Sequence, residues 1–455
     1  MLGINNIIRY KKLPLLFILL SIVLYFLFAY DLLRTDTSKL TFLYSGLFVC
    51  AYVLIKTTGF HFRFLVFASL LFRLVFLLAI PNLSQDFYRF IWDGHLLLSG
   101  LNPYLSTPNT LMENGLLTDF PNKAELFSKM GELSASNFSN YPPINQWCFA
   151  LANLFPGKSI LSSVIGLRLI IISADLGTLY YGKKLLEKLR MPANRIFWYI
   201  LNPFIIIELT GNLHFEGVMV FFLVLSLYFL SCNRKIISAI VIALSISVKL
   251  IPLMFLPLFF KWFKKQNGKL DFAILGKYYA IVGTTLFVVF IPFISAEFIS
   301  NYSETIGLWF GNFEFNASVY YLLREVGYAI TGYNEIAMIS KILPIISVLI
   351  ILGLTFLKKN DTLQALASSM LLALSCYLFL STTVHPWYIT TLMALCIFTN
   401  YKFPLVWSFI IVLSYFAYAN PDYKENLWII LLQYLVVFTA FILELIKKKT
   451  LIKPI

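Results

Sequence analysis

The stretch Gln85-Asp86-Phe87-Tyr88-Arg89-Phe90-Ile91-Trp92-Asp93-Gly94 packs two aspartates, an arginine and four aromatic residues into eight positions. Read as a helix, it places Asp86, Arg89 and Asp93 at i, i+3 and i+7, on one face. Gly100 and Asn102-Pro103 supply its stop signal. A carboxylate at Asp86, beside a membrane, could accept the proton of a hydroxyl as it attacks an electrophilic carbon. It could also be a first-turn acid, with Ser84 as the helix cap, and the two roles are compatible. Arg89 and Asp93 have the spacing of an i, i+4 ion pair, and a guanidinium there also suits a phosphate. Tyr88 and Trp92 fit an interfacial aromatic belt.

Further candidates are scattered along the chain. Lys249 stands inside an apolar run, where an unpaired ammonium is costly. It either snorkels to the interface or waits for a lipid phosphate, and the second reading gives the adjacent Pro252 break a purpose. Asn212, His214 and Glu216 form one polar group, and His385-Pro386-Trp387-Tyr388 another. Their spacing matches no metal-binding pattern, so hydrogen bonds to sugar hydroxyls or a phosphate are expected rather than a divalent metal. Glu314 and Asn316, beside Trp309, Phe310 and Phe313, suit a sugar whose faces stack on rings. No Gly-rich phosphate loop, nucleophile elbow or CxxC is present, which argues against a nucleotide-driven motor or a serine hydrolase.

These residues must be positioned by membrane helices. The 455 residues are 59% hydrophobic and only 13% charged, too apolar for a soluble domain of that length. Net charge is +14, but the bases sit in short loops between apolar runs, so the excess reads as positive-inside bias and not as nucleic-acid binding. Apolar runs fall near 13–30, 40–56, 62–80, 160–182, 195–211, 214–231, 273–296, 336–357, 363–381, 387–400, 403–420 and 426–446. The run 236–260 keeps the lysine clusters on one side only if it turns back as two short helices, about 236–248 and 251–260, bent at Lys249–Pro252. The expected fold is therefore a single all-α polytopic domain, 1–455, of about twelve transmembrane helices plus a re-entrant hairpin. Both termini are cytoplasmic, and the loop 81–159 carries interfacial helices on the outer side, one of them from Gln146 to Phe155.

The 85–94 stretch with Gly100-Leu101-Asn102-Pro103-Tyr104 resembles a signature of the GT-C superfamily, the integral-membrane glycosyltransferases that use polyprenyl-phosphate sugars. Tyr141-Pro142-Pro143, Asn212-Leu213-His214-Phe215-Glu216, Val248-Lys249-Leu250-Ile251-Pro252 and His385-Pro386-Trp387-Tyr388 are similar to later landmarks of that family, in the same order. The likeness is to its bacterial mannosyltransferase-like members. It implies transfer of a hexose, mannose favoured, from a polyprenyl-phosphate donor to a glycan or glycolipid acceptor with inversion, at the periplasmic face of a bacterial inner membrane. Asp86 would be the base, with Arg89, Lys249 and His385 toward the donor phosphate. Tyr88, Asp93, Tyr141, Asn212, His214, Glu216, Glu314, Trp387 and Tyr388 would lie along the substrates. Two departures matter: Gln85-Asp86 offers one carboxylate where the family often has two, and Glu216 stands where an aspartate is common. A flippase or transporter of a lipid-linked sugar is the rival reading, and a polysaccharide polymerase or ligase a third.

Overall fold

The computed structural model describes residues 12–451 except 60, 116, 118, 119, 266, 312 and 421, and gives 309–311 and 448–451 as backbone. Arg9, Lys11 and Asn312 lie outside the described residues, as do the side chains of Trp309, Phe310, Lys448 and Lys449. Among the described residues the chain is helical, without a β-sheet; two isolated bridges, Lys264–Leu270 and Phe315–Thr383, are its only strand-like pairings.

The amino-terminal part comprises α1 (Lys12–Tyr30), α2 (Thr37–Thr58) and α3 (Phe62–Val75). The loop 81–159 then folds as α4 (Asp86–Leu98), three short helices, and α5 (Pro143–Asn153) packed on α4. After it come α6 (Ile160–Lys188), α7 (Glu216–Ser231) and α8 (Lys235–Val248), which pack in sequence, α6 on α7 and α7 on α8. The remainder is α9 (Phe272–Phe290), α10 (Ala296–Gly311), α11 (Val319–Thr331), α12 (Ile336–Leu357), α13 (Leu363–Leu380), α14 (Phe403–Ile410) and α15 (Leu427–Leu451). Local caps start several of these: Asp36 accepts from Lys39 N at 2.9 Å, Ser159 from Ser162 N at 3.2 Å and Asp271 from Ile274 N at 3.1 Å.

Seven of these helices are long and apolar enough to cross a membrane, or up to eight if a sharply bent pair is one span. They present apolar side chains outward: Leu19, Val23 and Phe26 on α1, Ile345, Leu349 and Phe356 on α12, Leu432 and Leu435 on α15 are exposed, as a bilayer solvent requires. The other expected runs are shorter or interrupted. The run 195–211 is a chain of short turns broken at Asn202-Pro203, where Pro203 has no N–H to give and Asn202 caps Phe204 instead. The run 387–400 holds only Thr390–Cys396 as α-helix, and 403–420 passes from α14 into 3-10 helix, Ile411–Ala419. The run 236–260 does divide where expected: α8 ends at Val248, Lys249 is extended (φ −154°, ψ 140°), and Ile251–Lys261 continues as 3-10 helix.

Buried charge holds the central helices together. Arg73 Nε donates to Asp175 at 2.8 Å, and Arg73 Nη1 to the carbonyls of Ser69 and Ile200. Arg168 donates to the carbonyls of Thr210, Gly211 and Leu77. Removed from lipid, such groups are tolerable only when paired in this way.

Candidate active site

The centre of the site is an irregular turn. Residues Ile206–Gly211 form a π-helix, Leu213 is left-handed at φ 64°, and the axes on either side differ by 116°. A π-turn and a left-handed, buried leucine both cost free energy, and such geometry concentrates at functional sites. Arg168 takes the carbonyls that the turn leaves free. Glu208 braces its interior, accepting from Tyr415 Oη at 2.8 Å and from Asn212 Nδ2 at 3.3 Å, with His214 Nε2 3.7 Å away. The bend carries His214 and Glu216 to one end of the helical assembly.

Lys249 meets Glu216 there. Its ammonium forms an ion pair with the Glu216 carboxylate and lies 4.7 Å from the centre of the Tyr388 ring. It neither snorkels alone nor stands unpaired. The break that releases it also frees the Val248 carbonyl, and Asn145 of α5 donates to that oxygen at 2.8 Å. With the packing of α5 against α6 and α8, this bond docks the 81–159 segment onto the end of α8.

Asp86 opens α4, at the docked end. Its backbone N–H donates to Ser84 Oγ at 3.3 Å, but Gln85 occupies the cap position and no side chain caps the helix. Among the described residues, no protein group donates to the Asp86 carboxylate. Burial raises its pKa to about 6, against the lowering influence of Lys249 and Arg34, with Glu216 adding to the rise. Tyr141 is close enough for the Asp86 charge, after burial, to push its phenol well above the usual range.

A ladder of rings lies against this cluster. His214 stacks on Trp387 with centroids 3.7 Å apart, Trp387 on His385 at 4.6 Å, and His385 on Phe315 at 5.0 Å. Burial, with Lys249 and Arg34 nearby, lowers the His385 pKa to about 3, so its imidazole is neutral. Its Nδ1 is buried without a hydrogen-bond partner. Phe315 is held in place by backbone bonds to Thr382 and Val384 and by Glu425, which accepts from Asn316 N at 2.7 Å.

Asp86, Tyr141, Glu216, Lys249, His214, His385, Trp387 and Tyr388 are thus brought together, with Asn212 just beneath. Arg89 and Asp93 are on α4 but bound to each other and to the 134–146 segment rather than to Lys249 or Glu216. Arg89 is 3% exposed, donates to Asp93 at 2.7 Å and to the carbonyls of Ser134 and Asn137, while Asp93 accepts from Ser139 and Gln146. Tyr88 stands by Lys129, whose ammonium is 5.8 Å from the ring centre. Glu314 is engaged by Arg324 at 2.9 Å and Asn334 at 3.0 Å, and Asn316 is enclosed. Among the described residues no group of three or more His, Cys, Asp or Glu is arranged to hold a metal ion.

Two residues at the site are absent from the sequence-based candidates. Glu208 is an acid inside an apolar run, the same signal that singled out Lys249. Arg34 lies in the α1–α2 loop, and no local pattern in the sequence singles it out.

Residues 22–264, more than half of the chain and including Asp86, Glu216 and Lys249, match a family model described as alpha-(1->6)-mannopyranosyltransferase, N-terminal domain. Over 178 residues the chain is 23% identical to alpha-(1->6)-mannopyranosyltransferase A of Mycobacterium tuberculosis (strain ATCC 25618 / H37Rv), a stretch covering 38% of this chain and 32% of that relative. With a helical membrane fold and a polar site built at the ends of its helices, the chain belongs to the MptA_B family of alpha-(1->6)-mannopyranosyltransferases.

Proposed function

We propose that the protein transfers a mannosyl residue from a polyprenyl-phosphate donor to a glycan or lipid-linked acceptor, with inversion, and that Asp86 is the general base. The family supports the sugar and the reaction class. The observation that carries the catalytic reading is the Asp86 carboxylate, which has no donor among the described residues and a pKa raised to about 6, beside the Glu216–Lys249 pair. Glu216, the acid whose charge Asp86 feels, is engaged by Lys249, and Glu208 by Tyr415 and Asn212.

In the proposed step the acceptor hydroxyl gives its proton to Asp86 as its oxygen bonds to the anomeric carbon. The bond from that carbon to the phosphate oxygen breaks, and its electron pair leaves with the polyprenyl phosphate. Inversion requires base and leaving group on opposite faces of the ring. Asp86 from α4 and Lys249 from the end of α8, joined through Asn145, are separate elements suited to those two places. The leaving group is already a good one, so catalysis rests on charge stabilisation and on placement. His385, being neutral, serves as a hydrogen-bonding group through its free Nδ1, and Trp387 and Tyr388 offer ring faces to the sugar. The fuller topology of about twelve crossings, with a re-entrant turn at Lys249–Pro252, would put the site on the periplasmic face of a bacterial plasma membrane, opposite the lysine-rich loops.

The test is transfer from labelled polyprenyl-phosphate mannose in reconstituted vesicles, with and without a chelator. Asp86→Asn is expected to abolish product while leaving binding of the donor intact. Near-normal turnover of that variant removes Asp86 as base, and lipid movement without a new glycosidic bond replaces the transferase reading with a transporter.

A further inference from the structure

The α1–α2 loop contributes a cation, Arg34, that lies outside the sequence signature. Its acids are spoken for: Asp31 is paired with Lys39 at 2.6 Å, and Asp36 caps α2. Among the described residues Arg34 therefore has no carboxylate within ion-pair distance. Its guanidinium carbon lies over the Tyr418 ring, 3.3 Å from the centre, and its Nε is buried without a hydrogen-bond partner. A cation–π contact of this kind holds the guanidinium against the ring without neutralising its charge. Tyr418 leads straight to the ring ladder, 6.0 Å from Phe315, which stacks on His385. The charge of Arg34 is felt at both Asp86 and His385, as is that of Lys249.

The other cations near these residues are already matched. Arg73 is bound to Asp175, Arg89 to Asp93 and Lys249 to Glu216, and Arg168 is enclosed by three carbonyls. An incoming phosphate diester carries one negative charge and leaves as a monoester with more. Beside an ionised Asp86, a Lys249 neutralised by Glu216 cannot compensate that charge alone.

Resting on the transferase reading above, we propose that Arg34 is the principal binding residue for the phosphate oxyanion of the lipid carrier, held by Tyr418 to present its fork to two phosphate oxygens. Lys249 then completes the clamp by sharing its ammonium between Glu216 and the anion. A planar, bidentate donor suits this task better than a point charge.

Competition binding on the full-length protein in nanodiscs, with polyprenyl phosphate against the uncharged polyprenol of the same chain length, tests this without turnover. Wild type should prefer the phosphate by at least about tenfold, the value of a charge-assisted bidentate contact. Arg34→Met, which keeps the stem over Tyr418, should lose most of that preference while its polyprenol affinity is unchanged, and Arg34→Lys should recover only part. If Arg34→Met fails to fold, the reduced preference of Arg34→Lys supports the assignment in its place, and an unreduced one overturns it. An unaltered preference in folded Arg34→Met overturns the assignment but leaves the transferase reading standing. A wild type indifferent to the phosphate overturns both. The same Arg34→Met loss measured in an Asp86→Asn background separates binding from catalysis, and its absence there counts against the assignment.

Discussion

One turn of α4 separates two charged clusters with opposite fates. The Arg89–Asp93 cluster is enclosed: Asp93 is 0% exposed, and Ser139, Gln146 and two backbone carbonyls join it and Arg89 into one network, with only Arg89 Nη2 and Gln146 Oε1 of it left without a partner among the described residues. Asp86 is open, with no protein donor on its carboxylate, and faces Lys249, Arg34 and Glu216. The closed cluster ties α4 to the 134–146 segment, whereas the open one is left for a ligand to complete. An acid whose carboxylate takes no bond from the described residues, set beside charged neighbours, is available to a ligand.

Substitutions should divide along the same line. Asp86→Asn is expected to lower kcat by about two to four orders of magnitude, the usual contribution of a general base, measured as product formed per reconstituted enzyme. Its thermal unfolding in detergent should be unchanged or slightly raised, because the ionised acid is disfavoured by burial. Asp93→Asn should do the reverse. Removing one partner of a buried pair costs about 3–5 kcal/mol, seen as a lower unfolding midpoint and poor yield, with kcat per folded molecule largely kept. If Asp93→Asn folds normally and is inactive, the contrast between the clusters fails.

Lys249→Ala should mainly raise the donor KM, by about tenfold for one lost charge-assisted contact, and should leave Glu216 unpaired. A double substitution of Lys249 and Glu216 to Met and Gln should recover stability but not donor affinity, which steady-state kinetics with varied donor will show.

The pH profile tests the open acid directly. Asp86 is raised to about 6, so its proton-accepting form is lost as pH falls through that value. The rate should be level above pH 6 and fall about tenfold per unit below it, as a single titrating base dictates. For stability the sign is opposite: the folded state holds this proton more tightly than the unfolded chain, so Asp86 ceases to destabilise as pH drops toward 4. Smallest of all, Tyr88→Phe should change turnover by less than about twofold, since removing a hydroxyl near Lys129 touches neither cluster.

Several features were legible in local pattern alone. The i, i+4 spacing announced the Arg89–Asp93 pair, Lys249-Leu250-Ile251-Pro252 announced the end of α8, and the composition announced membrane helices. Each depends on contacts within a turn or two, or on the solvent that a run of side chains demands. A helix near Gln146 was also visible; it runs Pro143–Asn153 rather than 146–155, and Trp147 and Leu151 are exposed on it. The run 195–211, by contrast, read as one crossing because its apolar side chains conceal the break at Asn202-Pro203 and the π-turn beyond it.

What the sequence determined by itself was therefore the class of protein, the start of α4, its internal ion pair and the place where the 236–260 run breaks. Tertiary structure alone decided that Lys249 answers Glu216, that Asn145 clips the 81–159 segment to Val248, and that Arg34 joins Asp86 from a distant loop. The reason is physical. Periodicity records which face of a helix is apolar, but partner choice among charges depends on which helix ends meet, and a 116° bend at residues 211–216 is set by packing around Glu208 and Arg168 rather than by any local repeat.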